Sequence, residues 1–155
     1  MEEIRNIKDC ERDRYSFAYA VENRPTHPER RGTTYFIIRH EPTKILLFFF
    51  IGVRKGRVFQ SRFDPDFIGV DADPKGDCLV AAEQFLGEDI AEGVAVRRDN
   101  VTLDDVANAA LKLIYTNETP RVPPADAARA SFKADLFVHL ERGYLKLKRE
   151  EEEKS

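Results

Sequence analysis

The chain has 155 residues, of which 42% are hydrophobic and 34% are charged. This length is sufficient for one domain whose hydrophobic core needs no disulfide or metal. The formal net charge of −3 argues against a protein whose whole surface binds nucleic acid or acidic lipid, although a local basic patch is compatible with it. We therefore predict a single domain over residues 1–155.

Neither the first residues nor the cysteines indicate a secreted or metal-binding protein. No basic segment followed by an apolar stretch opens the chain, so no secretory signal is predicted, and we expect a cytoplasmic protein. Cys10 and Cys78 are isolated from each other, whereas a structural zinc site takes four ligands. We expect two reduced, buried or half-buried thiols, with no metal and no cofactor.

The first third of the chain predicts a helix and then a basic loop. Apolar residues recur at three- and four-residue steps over residues 4–21, which predicts an amphipathic helix that is weaker around residues 12–14. Prolines then exclude a helix, and three arginines, Arg24, Arg30 and Arg31, mark an exposed loop. These arginines are candidates for binding an anion, but a solvated loop is the favoured interpretation.

Three β-rich segments follow, and the middle one organises the fold. Residues 45–51 form an uninterrupted apolar run, which predicts a strand covered on both faces. Residues 33–39 precede it, and residues 57–63 alternate polar with apolar, as an edge strand with one wet face does. Because the connections are short, we predict an antiparallel meander.

Residues 64–77 contain five aspartates, which predict an acidic loop. The spacing of an EF-hand is absent, and turn formation and helix capping account for the carboxylates better than a metal does. A short helix is predicted over residues 78–86. It would place Cys78 in a first turn, where the dipole lowers a thiol pKa, although a small residue filling space beside the sheet is favoured.

The last part of the chain predicts a helical pair. Residues 88–100 suggest a helical turn and a short strand, and Thr102 with Asp105 forms a capping-box pattern ahead of a helix that ends near Tyr115. The proline-rich residues 119–124 predict a subdomain boundary.

The final helix has two interpretations. Either it ends at Gly143 and residues 144–148 form a strand, or it continues through Gly143 at a cost of about 1 kcal/mol. We slightly prefer the continuous helix, with a frayed tail at residues 150–155. The predicted fold is α+β, a three- or four-stranded antiparallel sheet with helices packed on at least one face and a C-terminal helical pair.

No catalytic motif is present in the sequence. It contains no nucleophile elbow, phosphate-binding loop, dinucleotide fingerprint or zinc-protease helix, and its three histidines are scattered. Whether the protein is an enzyme stays open, but a protein without catalytic activity of its own is favoured.

One family resemblance covers residues 31–95, less than half of the chain. Thr43-Lys44 opens the central strand, Pro-Asp-Phe-Ile follows at residues 65–68, and a helix ends in Leu-Gly at residues 86–87. This order resembles the superfamily of the lipoate-protein ligase accessory domain and the IscU/NifU iron–sulfur scaffolds, and it is closer to the former. Thr43 and Pro65 replace two glycines of the ligase pattern, and the C-terminal helices are not part of it.

The resemblance implies an adaptor that acts through a protein partner. Asp66 and Phe67 would then form the contact segment, with Lys44 close by at a strand end. In the simpler interpretation Phe67 packs under the sheet edge and Asp66 caps a turn.

Three alternatives remain at this stage. The C-terminal helices, followed by a strand at residues 144–148, would have the order of a winged helix-turn-helix that binds nucleic acid. A degenerate IscU/NifU-like scaffold would have lost its cysteine ligands, since only Cys78 corresponds. A homodimer would cover a sheet face that the helices leave open. The sequence identifies no partner, and it indicates no membrane association.

Overall fold

The structure is a computed structural model that describes residues 7–21, 33–54, 57–60, 65–71, 78, 80, 81, 84, 94–117 and 125–154. The strands are β1 (Tyr15–Val21), β2 (Thr34–His40), β3 (Ile45–Arg54), β4 (Arg57–Gln60), β5 (Asp66–Val70) and β6 (Val94–Val101). The helices are α1 (Ile7–Arg12), α2 (Leu103–Asn117) and α3 (Ala125–Lys154). Residues 78, 80, 81 and 84 are also helical.

The strands form one antiparallel sheet. Its main part has the order β5-β3-β2-β1-β6, and β4 pairs with the last residues of β3 as a hairpin extension. The α+β class, the antiparallel sheet and the C-terminal helical pair are confirmed. The predicted count of three or four strands is wrong, because among the described residues five strands form the main sheet and β4 brings the connected sheet to six.

β1 corrects the predicted N-terminal helix. Only Ile7–Arg12 is helical, and Tyr15–Val21 lies between β2 and β6. Phe17 belongs to the core on one face of the sheet and Ala18 to the core on the other. A strand buried on both faces has no apolar alternation, so its apolar residues matched a helical spacing by coincidence.

β5 corrects the predicted acidic loop. Within residues 64–77, Asp66–Val70 pairs antiparallel with the first half of β3, with Phe67 opposite Leu47 and Val70 opposite Ile45. The register shifts once along this pair, and Gly69 has a φ of 142°, a conformation that only glycine adopts readily. The glycine and the flanking aspartates predict a loop, and the free edge of β3 overrides that preference.

The core lies on both faces of the sheet, as predicted for β3. The larger cluster packs the sheet against α1, α2 and α3, and it includes Leu47, Phe49 and Phe132. The smaller cluster, on the opposite face, contains Ala18, Ile37, Leu46, Cys78 and Ala81. Cys78 is buried beside the sheet, which confirms its predicted packing role.

Both C-terminal helices begin and continue as predicted. The Thr102 N–H donates to Asp105 Oδ2 and the Asp105 N–H donates to Thr102 Oγ1, each at 3.2 Å, which forms the expected capping box of α2. α3 runs through Gly143 to Lys154, so residues 144–148 are helical rather than a strand. Fraying of residues 150–155 stays a prediction. The subdomain boundary predicted at residues 119–124 lies outside the described residues.

At Gly143, α3 lies so close to β5 that there is no room for a side chain. A Cβ placed on Gly143 would lie 2.4 Å from Cδ2 and 2.9 Å from Cγ of Phe67 on β5. These distances are shorter than any normal carbon–carbon contact, so the ring occupies the space that a side chain would need. The helix therefore passes through a residue of low helix propensity because that residue lets Phe67 pack beneath it.

We predict that Gly143→Ala lowers the free energy of unfolding by up to about 2 kcal/mol. Overpacking costs about 1–3 kcal/mol, and the gain of about 1 kcal/mol in helix propensity offsets part of this cost. In a Phe67→Ala background the same change should become neutral or stabilising, because the ring is gone. Urea denaturation of the four proteins of this double-mutant cycle provides the measurement. Stabilisation by Gly143→Ala with Phe67 intact would contradict this packing.

Candidate functional site

The resemblance groups Lys44, Asp66 and Phe67 in one contact region, but the structure places Lys44 apart from the other two. Asp66 and Phe67 are neighbours at the start of β5, and Asp66 is exposed. Lys44 lies beside the opposite end of this strand, because its carbonyl accepts a hydrogen bond of 2.9 Å from the Asp71 N–H. Asp71 follows Phe67 by four residues, which places Lys44 about 13 Å from Phe67 along the strand. Asp66 and Phe67 can therefore belong to one contact surface, and Lys44 belongs to a different cluster.

Phe67 has a structural role in addition to any binding role. Its half-buried ring packs against the main core, and the Lys146 Nζ of α3 lies 5.8 Å from the ring centroid. This position agrees with the simpler interpretation, in which the ring packs under the sheet edge. The other predicted site, the anion-binding loop with Arg24, Arg30 and Arg31, lies outside the described residues.

Lys44 belongs to a polar group at the ends of β2 and β5, which we call the corner cluster: Ser16, Arg39, Glu41, Lys44 and Asp71. Its centre is the Glu41 carboxylate. Oε1 accepts hydrogen bonds from Ser16 Oγ at 2.6 Å and from Arg39 Nε at 2.8 Å, and Oε2 accepts one from Lys44 Nζ at 2.6 Å. The buried Arg39 also donates to Asp71 Oδ2 at 2.6 Å.

The pKa shifts in the corner cluster agree with this pairing. Burial opposes the charge of Glu41, but hydrogen bonds from Lys44, Ser16 and Arg39 outweigh it and hold its pKa below the ordinary value. Burial likewise opposes the charge of Arg39. The hydrogen bonds from Arg39 to Glu41 and Asp71 outweigh this effect and raise the pKa of Arg39 above its ordinary value. The corner cluster therefore contains two anions and two cations that neutralise one another. It binds β2, β5 and the intervening turn together, and it offers no unsatisfied charge to a substrate.

A second polar group lies on the other side of this turn. His40 is 1% exposed, with Nδ1 at 2.7 Å from Thr43 Oγ1 and Nε2 at 2.7 Å from Asp13 Oδ2. The Ile45 N–H also donates to Thr43 Oγ1, at 3.3 Å. The chain of hydroxyl, imidazole and carboxylate resembles the relay of a hydrolase. Because Thr43 is buried, its hydroxyl cannot reach a substrate, and the relay connects the turn to the end of α1.

Cys10 lies beside this relay and completes a set of metal-ligating side chains. One potential ligand atom from each of Cys10, Asp13 and His40 lies within 4.8 Å of the other two. The Tyr15 hydroxyl donates to the Cys10 carbonyl at 2.8 Å, and the Tyr15 and His40 ring centroids are 5.2 Å apart. Sequence analysis considered a metal at the two cysteines and in the acidic loop of residues 64–77. The set of Cys10, Asp13 and His40 was not considered, because His40 is far from Cys10 in sequence and no local spacing connects them.

The surroundings of both thiols in the folded chain disfavour the reactive thiolate form. Burial, followed by the charges of Asp13 and Asp9, raises the pKa of Cys10 from 9.0 to about 12. Burial is also the main cause that raises the pKa of Cys78 from 9.0 to about 12. A thiolate is the nucleophilic form of cysteine, so neither residue is placed to attack a substrate.

One cleft among the described residues is lined mainly by charged side chains. It has a volume of about 530 Å³ and lies between α1, α2 and α3, lined by Glu11, Asp104, Asp126, Arg129, Ala130 and Lys133. Lys133 pairs with Asp104 and Arg129 with Asp126, so most of the charges are paired within the cleft. It contains no grouping of nucleophile, base and acid.

Comparisons with protein-family models, with curated proteins and with solved structures gave no match to this chain. They therefore do not bear on the resemblance to the ligase accessory domain. Within the part of the chain that the structure describes, no helix combines the length and apolarity that crossing a membrane requires.

Sequence analysis did not identify the corner cluster or the relay. β2 ends with the polar residues Arg39 and His40, and the turn before β3 contains Glu41, Thr43 and Lys44. Polar residues at the end of a strand and in a turn are common at a protein surface. The only local signal was a positive charge and an imidazole at the end of a strong β-segment. Their partners, Asp71 and Asp13, are distant in sequence, so only the fold could identify them.

We predict that Glu41→Gln lowers the free energy of unfolding by about 1–3 kcal/mol, because the buried Arg39 loses a charged acceptor. The exposed Glu150→Gln on α3 is the matched control and should change stability by no more than about 0.5 kcal/mol. Denaturant unfolding at neutral pH measures both. Equal effects of the two substitutions would show that the corner cluster is not stabilising.

We also predict that both thiols react slowly in the native chain. At a pH below 9.0, a pKa raised from 9.0 to about 12 lowers the thiolate fraction roughly a thousandfold relative to the unfolded chain. Folding raises the pKa of both thiols. Their contribution to the free energy of unfolding is therefore complete below pH 9.0 and declines as the pH rises toward about 12. Timed alkylation with mass spectrometry, native and in denaturant, tests this. Rapid labelling of Cys78 in the native chain would reveal an accessible, activated thiol.

Proposed function

We propose that this protein is a non-catalytic accessory protein that binds a protein partner through the edge strand β5. The observation that carries the proposal is the position of Asp66 and Phe67. The resemblance singled out these residues as a contact segment, and they lie on a strand at the edge of the sheet. Among the described residues, no strand pairs with the outer side of β5.

The geometry of β5 suits the addition of another strand. The Asp71 N–H points inward and donates to Lys44, so the alternation of an antiparallel ladder directs the preceding Val70 N–H outward. Val70 is also 41% exposed, so an apolar side chain is available for contact at this edge. A strand whose outer side has no strand partner among the described residues, and which exposes an apolar side chain, is a template for an extended peptide.

The character of the polar groups supports a non-catalytic role. Within the described ranges, the buried hydroxyls of Ser16 and Thr43 are engaged with Glu41 and His40, and the two thiols are buried. These groups satisfy one another inside the protein, as expected of groups that hold a fold together. Catalysis would need at least one of them to face a cavity that admits a substrate.

The partner proposed here is a protein segment in extended conformation. Backbone hydrogen bonds to β5 would provide affinity, and side chains on alternate positions of the segment would provide specificity. The exposed Asp66 would favour a basic or hydrogen-bond-donating residue at the start of the contact. This role agrees with the adaptor function that the resemblance implies.

The structure favours this role over nucleic-acid binding by the C-terminal helices. A winged arrangement requires a strand after the second helix, and residues 144–148 instead continue α3. It also weakens the argument for a homodimer that covers an open sheet face. Cys78 and Ala81 already pack against that face at Ile37 and Leu46.

We predict that Val70→Lys weakens partner binding by about tenfold or more, because a lysine on an edge strand opposes the addition of another strand. Val138→Lys is the matched control: Val138 is 43% exposed, is the same residue type and lies on α3 rather than on β5. Affinity capture with the full chain at low and moderate salt identifies the partner. Titration of the purified partner against the three proteins then gives the dissociation constants.

The proposal requires a stoichiometric protein that is lost with Val70→Lys and retained with Val138→Lys. Recovery of the chain alone, or of nucleic acid released at moderate salt, would contradict it. A protein partner that binds both variants equally would show that the contact surface is not β5.

A further inference from the structure

The ligand set formed by Cys10, Asp13 and His40 has no role in the proposed partner binding. It combines a sulfur, an oxygen and a nitrogen ligand at the corner where α1 meets the end of β2. We propose that these three residues bind one thiophilic divalent metal ion of the Zn²⁺ class, with water in the fourth position. This site is independent of β5 and of any protein partner.

The distances are compatible with tetrahedral coordination. Zn²⁺ binds sulfur at about 2.3 Å and nitrogen or oxygen at about 2.0–2.2 Å, which separates neighbouring ligand atoms by about 3.3–3.6 Å. In the structure the three ligand atoms lie within 4.8 Å of one another, with His40 Nε2 and Asp13 Oδ2 at 2.7 Å. Side-chain adjustments of roughly 1 Å would therefore bring all three to metal-binding distance.

The surrounding contacts hold the ligands in place. Thr43 Oγ1 lies 2.7 Å from His40 Nδ1, which leaves the Nε2 side of the ring for the ion. The Tyr15 hydroxyl holds the carbonyl of Cys10 at the end of α1. Hydrogen bonds of this kind orient the ligands of metal sites and strengthen binding. The set is therefore supported by a second layer of side chains.

The local charges favour a cation. Asp13, Asp9, Glu141 and Glu11 all act electrostatically on the Cys10 thiol, and each is a carboxylate. A divalent ion would offset this concentration of negative charge at a buried position. Cys10 and His40 are each 1% exposed, whereas the Asp13 side chain is 29% exposed. The solvent side of the site is therefore at Asp13, where water can complete the coordination.

Binding requires a defined movement of protons. The Cys10 thiol releases its proton to solvent and binds as the thiolate. If neutral His40 carries its proton on Nε2 toward Asp13, that proton moves to Nδ1, which then donates to Thr43 Oγ1. The Asp13–His40 hydrogen bond is replaced by two bonds to the ion. One proton leaves the protein for each ion bound.

The ligand types define which ions the site would take. A thiolate and an imidazole favour Zn²⁺, Co²⁺ and neighbouring transition metals over Mg²⁺ and Ca²⁺, which prefer sites made of oxygen. Because the ligands come from α1, the following residue and β2, the bound ion would fasten the N-terminal helix to the sheet. The expected consequence is a more stable fold in the presence of the ion.

Co²⁺ is the probe that tests the site, because its bond to a thiolate produces an intense near-ultraviolet absorption. The purified full chain, reduced and freed of metal with a chelator, is titrated with Co²⁺ and then with Zn²⁺. We expect one Co²⁺ per chain with thiolate absorption, displacement by an equimolar amount of Zn²⁺, and a higher melting temperature with Zn²⁺ than with Mg²⁺.

Two cysteine substitutions provide the matched comparison. Cys10→Ala should abolish the thiolate absorption, and Cys78→Ala should leave it unchanged, although both thiols are buried. Asp13→Asn retains an oxygen acceptor for His40 and should weaken Zn²⁺ binding by about tenfold or more while preserving the fold. Circular dichroism establishes that each variant is folded.

The results distinguish the proposal from its alternatives. Absence of thiolate absorption in the folded wild-type chain would overturn the site, as would its persistence in Cys10→Ala. Loss of the absorption in Cys78→Ala would show that Cys78 supplies the thiolate instead of Cys10, and this result would also overturn the proposed site. If Cys10→Ala does not fold, equal Zn²⁺ affinities of Asp13→Asn and the wild type would decide against the site.

Discussion

A buried guanidinium sets the arrangement of one end of this sheet. Arg39 lies on β2 among residues that exclude water, so its charge must be compensated inside the protein. Glu41 and Asp71 supply the compensation, and they come from the turn after β2 and from the end of β5. The positions of β5 and of the turn are therefore coupled to one side chain, and removal of either carboxylate would leave a buried charge underpaired.

The turn after β2 takes part in polar groups on both faces of the sheet. Successive residues of a strand point to opposite faces, so Arg39 joins the corner cluster while His40 points toward Cys10 and Asp13. Glu41 accepts hydrogen bonds within the corner cluster. On the other face, the Thr43 hydroxyl lies within hydrogen-bond distance of His40. This short segment connects the edge strand to the N-terminal helix, which are the two places where we propose that partner and metal bind.

The two proposals make different demands on the fold. Partner binding at β5 requires a strand with one free side and a rigid support, and the contact between Phe67 and Gly143 provides the support from α3. Metal binding at α1 requires side chains that can adjust by roughly 1 Å, which a six-residue helix at the edge of the core permits. Each proposal can therefore succeed or fail without the other.

The sequence by itself determined those elements whose signals are local. The apolar run of β3 and the capping box of Thr102 and Asp105 each lie within one element, and the structure confirms them. For α3 the sequence left two interpretations, and the structure has the slightly preferred continuous helix. The α+β class and the helical pair follow from these elements. The contact segment of Asp66 and Phe67 was also selected from sequence, although its role in binding stays a prediction.

Only the tertiary structure decided the remainder, because it depends on partners that are distant along the chain. β1 lacks a distinctive period since both of its faces are buried, and β5 contains a glycine and follows a proline, so each became a strand only through its neighbours. The sequence placed Arg39 at the end of a predicted strand and His40 in the connection after it, and only the fold brought Asp71 and Asp13 to them. Local patterns determine secondary structure where the signal lies within one segment, as in the apolar run of β3, whereas buried charges and ligand sets arise only when the whole chain has packed.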